Sequence, residues 1–139
     1  MKLMRGVYMS GGKKRKATDK KNTYDLFCGE VGVWAALAAE FAINCYKRNQ
    51  ETTTQASVHW DRVAGSAAIR FNPKYAFADS SEVKLAAYHE IWHLILSEID
   101  DMLHEYYSDK QCEIAIHRVI SKAEKIYLEF TNDKSTKEN

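Results

Sequence analysis

The chain has 139 residues, 45% of them hydrophobic, with 20 Lys and Arg against 19 Asp and Glu and a formal net charge of +1. That suits a soluble globular protein with one domain and a modest core. The three cysteines, Cys28, Cys45 and Cys112, are odd in number and form no CxxC, so neither a disulfide framework nor a zinc knuckle is expected. They read instead as buried free thiols in a reducing cytoplasm. The longest apolar stretch, Val31 to Cys45, is broken by Glu40 and is too short to span a bilayer.

Charge is uneven along the chain. Residues 1–21 hold eight basic side chains and one acid, or +7, which leaves −6 for the remainder. The run from Gly11 to Lys16 is read, with the rest of residues 1–22, as a disordered basic tail. Such a tail can touch nucleic acid weakly through phosphates, or do no more than aid solubility. No secretory signal is evident, and a cytoplasmic location is expected.

A single domain is expected over residues 23–130. Its first helix is predicted from Tyr24 to Arg48, with Thr23 as cap. Phe27, Val31, Trp34, Ala38, Phe41 and Cys45 recur every three or four residues as an apolar stripe. A polar linker, Asn49 to Gln55, follows. Two alternating strands come next, Ser57–Val63 and Ala67–Asn72, joined at the turn signal Ala64-Gly65-Ser66. Pro73 closes the second. A short irregular stretch leads to a helix that Asp79 and Glu82 open at capping-box spacing. The chain then turns polar from Ser97 to Ser108. A final helix, Asp109–Phe130, begins with Ser108 and Gln111 at the same spacing. Cys112, Ile116, Val119, Ala123, Ile126 and Phe130 are its expected core stripe. Residues 131–139 read as a polar, frayed tail.

The chemistry lies in residues 89–93, His-Glu-Ile-Trp-His. Four residues apart on a helix, His89 and His93 project from one face and can hold one ion. Neutral imidazoles suit zinc, which brings the pKa of a bound water to about 7. Glu90, next to the first His, can take a proton from that water and deliver it to a leaving amine. Ala86-Ala87-Tyr88 before the motif and Leu94-Ile95-Leu96 after it are free of charge. Two His and a Glu in an apolar helix need a reason, because unpaired buried polar groups cost several kcal/mol, about 2–7 each. The plain alternative is a core helix whose His and Glu make ordinary hydrogen bonds.

A catalytic zinc site needs a third protein ligand. Metzincins place a Gly and a His soon after the second His; here those positions hold Leu96 and Ile99. Glu113, His117 and His104 remain, preferred in that order. Glu113 follows His93 by an interval that lets the last helix return beside the motif helix and present a carboxylate. His117 lies one turn further along the same face and could be the ligand instead, with Glu113 as its outer partner. His104, His117, Tyr106 and Tyr107 are also candidate donors to a developing oxyanion.

These motifs resemble those of the zincin metallopeptidases. The interval from His93 to Glu113 is similar to that of the gluzincins, in which a Glu on the next helix is the third ligand. In the thermolysin-like group the position of His117 is an Asp that bonds a ligand His. The layout from Ala56 to Phe130, with Trp-His-Leu-Ile-Leu at 92–96 and His-Arg-Val-Ile at 117–120, looks like that of small metallopeptidase-like proteins of bacteriophages and prophages, some SprT-like. The resemblance covers about half the chain. It implies an α+β, minimal zincin-like fold with an N-terminal helix, a small antiparallel sheet, the HExxH helix and a C-terminal helix carrying the third ligand. It also implies a zinc-dependent peptidase acting on a peptide or protein in a bacterial or phage-infected cell. The substrate would lie along an edge strand, with Ile69, Arg70 and Phe71 shaping specificity. SprT-like enzymes use a third His and often act on DNA-bound proteins, which would suit His117 and the basic tail. Two other readings stand beside this one. The first is a zincin scaffold that binds a partner without catalysis, and the second is a DNA-associated regulator led by its tail.

Overall fold

The computed structural model describes residues 17–138, and the side chains of residues 23–131. The order of elements is α1 (Ala17–Trp34), a 3-10 turn (Ala35–Ala38), β1 (Ala42–Lys47), β2 (Ala56–Asp61), β3 (Ser66–Phe71), α2 (Ser80–Ile95), α3 (Ser97–Leu103) and α4 (Asp109–Glu138). The fold is mixed α+β. Two compact units divide between Leu94 and Ile95. No helix among the described residues is long and apolar enough to cross a membrane.

In the first unit, α1 buries Phe27 and Val31, and the following turn buries Ala38. The helix predicted to run on to Arg48 stops at Trp34, and residues 42–47 are a strand instead. Both patterns fit the sequence there. Phe41 and Cys45 extend the helical stripe, but Ile43 and Cys45 also alternate with the exposed Ala42, Asn44 and Tyr46. Pairing with β3 decides between them, since tertiary hydrogen bonding overrides a weak local preference. At the other end α1 starts at Ala17, so residues 17–22 belong to a helix rather than to the expected tail. The remainder of that basic segment lies outside the described residues.

The sheet order is β1-β3-β2. β2 and β3 form the expected antiparallel hairpin, Ala56 opposite Phe71 and Asp61 opposite Ser66. Its turn closes on Gly65, whose φ of +68° favours a residue without a side chain. Asp61 steadies the turn, its Oδ1 accepting from the Ala64 N–H at 3.0 Å. β1 pairs with β3 in parallel, Ala42 with Ser66 through Lys47 with Phe71, so the sheet is mixed rather than purely antiparallel.

This topology overturns the expected substrate strand. β3 is the centre of the sheet, with its backbone groups committed on both sides. It has no free edge to which an extended peptide could add. Ile69 and Phe71 are fully buried or nearly so, at 0% and 2% exposed, and serve the core. Phe71 is the hub of an aromatic cluster, 5.1 Å from Phe27, 5.6 Å from Tyr24 and stacked at 5.5 Å on Phe77. Arg70 stays half-buried on the opposite face. Among the described residues the edges are β1 and β2.

Because β1 and β3 run in parallel, the linker at 48–55 must carry the chain past the end of β3 to reach β2. Asn72 holds it there. Its side-chain Nδ2 donates to the carbonyls of Glu51 at 2.8 Å and Thr54 at 2.6 Å, and its Oδ1 accepts from the N–H groups of Gln50 and Lys74. The residue is fully buried, so these bonds replace all the water it gives up.

In the second unit, α3 lies in the stretch read only as polar, and α4 runs eight residues past Phe130 through the segment read as a frayed tail. The predicted capping box at its start is formed. The Gln111 Oε1 accepts from the Ser108 N–H at 3.0 Å, and the Ser108 Oγ accepts from the Gln111 N–H at 3.2 Å. The buried stripe is Cys112, Ile116, Ile120 and Ala123; Val119, Ile126 and Phe130, placed in it by the sequence pattern, are exposed.

Replacing Asn72 by Ala should lower stability by about 2–4 kcal/mol, because four backbone groups lose a partner at a buried site. Urea denaturation measures this; a loss under about 1 kcal/mol would mean that the linker is held some other way.

Candidate metal centre

The helix α2 is built to hold polar groups in apolar surroundings. Its first turn is closed by the predicted Asp79/Glu82 pair. The Asp79 Oδ1 accepts from the Glu82 N–H at 2.9 Å, while the Glu82 carboxylate accepts from the Ala78 N–H at 2.7 Å. The body then buries Val83, Ala87, Ile91 and Leu94 completely. Each such Val, Leu or Ile side chain contributes about 1.5–3 kcal/mol. Tyr88 meets the Trp34 ring edge-on at 5.1 Å, which ties α2 to α1. Trp92, half-buried, lies near Tyr88 at 6.3 Å, and half-buried Trp60 sits in β2.

On this helix His89 and His93 come together as the motif requires. Their Nε2 atoms are 3.2 Å apart, with the rings 5.0 Å apart at 60° to one another. Both are half-buried. Two nitrogens that each sit about 2.0–2.1 Å from a tetrahedral ion lie about 3.3–3.4 Å apart. The pair therefore fits a zinc ion closely. Glu90, at 7% exposure, is with Glu82 one of the buried charged residues among those described.

The other sequence candidates all lie in the second unit. His117 is half-buried on α4 beside the buried Ile116, and its Nδ1 is 2.9 Å from the Glu113 carbonyl. An imidazole that donates from Nδ1 presents the lone pair of Nε2, the arrangement that orients a metal-binding histidine. The Glu113 side chain is exposed. His104 is drawn into an acidic setting. Its Nδ1 lies 2.8 Å from the Asp100 carbonyl and 3.1 Å from the Asp100 carboxylate, and its Nε2 lies 3.4 Å from Asp109. Tyr106 and Tyr107 are exposed, the first at 82%. Asp100, beside His104 and Cys112, belongs to a second group able to approach an ion, and the motif search in the sequence missed it. The i,i+4 spacing of Asp100 and His104 was the available signal. A shallow open depression on the sheet, between Asn44, His59, Asp61 and Ala68, contains none of the predicted site residues.

The hydrogen bond to the Asp100 carbonyl, followed by the charges of Asp100, Asp109 and Asp101, raises the pKa of His104 against some desolvation. Asp100 is itself raised, chiefly by burial, although His104 and His117 pull it down. No family model, curated protein or solved structure matches the chain.

The His104 shift has a definite sign. A histidine whose folded pKa exceeds its unfolded value stabilises the fold below the unfolded value, about 6.5, and that contribution is lost as pH rises through the folded pKa. An NMR titration should place the His104 midpoint above the usual value, and Asp100→Asn should lower it. An unmoved midpoint in that variant would show that the Asp100 carboxylate has no part in the shift.

Proposed function

We propose that the chain is a zinc-dependent metallopeptidase of minimal zincin type, in which His89 and His93 hold one zinc ion, Glu90 is the general base, and the third ligand is one of the sequence candidates Glu113, His117 and His104. The observation that carries this reading is the 3.2 Å approach of the two Nε2 atoms at the HExxH motif. A pair so close on a buried helix suits a shared ion, and the motif supplies a carboxylate next to it.

His117 is preferred to Glu113 and His104 for reasons internal to α3 and α4. Its Nδ1 is anchored on a helix carbonyl, and its ring is half-buried. The Glu113 side chain is exposed, and both His104 nitrogens face acidic residues. Glu113 then acts through its backbone, fixing the His117 ring. A third His is also the pattern of the SprT-like proteins that the sequence resembles.

Zinc bound there would lower the pKa of a water to about 7 and polarise a carbonyl as a Lewis acid. Glu90 would accept the proton of the attacking water and pass it to the leaving amine. Its burial keeps that proton transfer away from bulk solvent, where its electrostatic effect would be screened. The three imidazoles are neutral ligands, so the site keeps a net positive charge suited to a developing oxyanion.

The purified chain should bind one zinc, and His89→Ala or His93→Ala should weaken that binding by more than about 100-fold, beyond the loss typical of an outer partner. His117→Ala should weaken it as well, while Glu113→Ala should not. Glu90→Gln should keep the zinc and lower cleavage of a mixed peptide library by about 100-fold or more. Full zinc binding in the His93 variant would refute the site. Zinc that is bound and removed only with unfolding, together with no cleavage by the wild type, would make it a structural site in a binding module.

A further inference from the structure

The two half-buried cysteines of the first unit lie apart in sequence, Cys28 on α1 and Cys45 on β1, yet their sulfurs are 3.0 Å apart. Sulfur atoms in ordinary contact sit farther apart, and a disulfide bond needs about 2.05 Å. The pair is within about 1 Å of bonding distance. The backbone around the pair is already tied down. The Tyr24 hydroxyl, one turn before Cys28, donates to the Cys45 carbonyl at 3.1 Å, and Cys45 is paired in register with Ile69 of the central strand.

We propose that Cys28 and Cys45 form a redox-active dithiol that a small-molecule disulfide, such as oxidised glutathione, converts to an intramolecular disulfide joining α1 to β1. Both side chains are partly exposed, so the oxidant can reach them. The Cys28 thiolate attacks one sulfur of oxidised glutathione and releases one glutathione thiolate, leaving a mixed disulfide on Cys28. Cys45 then gives its proton to solvent and attacks the Cys28 sulfur, releasing the second glutathione. Two protein thiols are oxidised, and one glutathione disulfide is reduced to two thiols. Burial, and next the neighbouring Cys28, hold the Cys45 thiol above its usual range, which casts it as the resolving sulfur. Cys112, buried in the second unit, is a separate thiol and takes no part.

The full chain is incubated with oxidised glutathione, quenched in acid, alkylated and digested for mass spectrometry. The expected product is a cross-linked peptide pair containing Cys28 and Cys45, lighter by two hydrogens, with Cys112 alkylated. The Cys45→Ser variant should instead stop at a single glutathione on Cys28, and reductant should restore both thiols in the wild type. Cys28 and Cys45 recovered as free thiols would overturn the proposal. So would separate glutathione adducts on both sulfurs with no cross-link. Neither result depends on zinc or on peptide cleavage, so the outcome stands apart from that of the proposed function.

Discussion

Two imidazole nitrogens 3.2 Å apart cannot both carry protons. A pair of imidazolium cations at that separation would repel strongly, and more so in a site with restricted access to water. Two arrangements suit such a pair. In one, a proton is shared as a hydrogen bond between the rings. In the other, both lone pairs face a cation. In the proposed zinc site the second arrangement uses both nitrogens fully and gives the carboxylate next to them a task. A helix presenting polar groups at one point must be held rigidly everywhere else, and Val83, Ala87, Ile91 and Leu94 do this by complete burial.

The first unit supplies the rigidity through one aromatic hub and one buried amide. Phe71 collects Tyr24, Phe27 and Phe77, so α1 and the stretch after β3 close on the same point of the sheet. Asn72, the next residue, fixes the linker that lets β1 and β3 run in parallel. A parallel pair needs a longer connection than a hairpin, and such a connection exposes backbone groups that must find partners. One asparagine meets three of them, at Gln50, Glu51 and Thr54. From α1, Trp34 reaches Tyr88, the residue before the first histidine, so the order established at the sheet is passed to the helix bearing the motif.

The local chemistry of the chain was legible in its sequence. Ser108 and Gln111 close a reciprocal capping box and Asp79 caps the Glu82 N–H, as the spacing of each pair indicated. The hairpin turned at Gly65, and the HExxH stretch was helical with its two histidines together. What was not legible depended on partners distant in sequence. β1 was hidden because residues 41–45 satisfy a helical period and an alternating one equally, and only the presence of β3 alongside chooses. The central place of β3 was hidden for the same reason, since a third strand was not foreseen. On α4 the buried stripe passes through Ile120 rather than Val119, a drift of one residue that a period of 3.6 permits and a fixed spacing does not reveal.

The choice among third ligands rests on how each imidazole or carboxylate is held before any ion arrives. A histidine with one nitrogen anchored on a carbonyl loses little freedom on binding, whereas an exposed glutamate loses more. That argument favours His117 and leaves a site rich in nitrogen and without sulfur. X-ray absorption of the zinc-loaded chain tests this most directly. The account predicts about three imidazole nitrogens near 2.0–2.1 Å and one oxygen ligand. A shell containing sulfur, or one of oxygens alone, would contradict it.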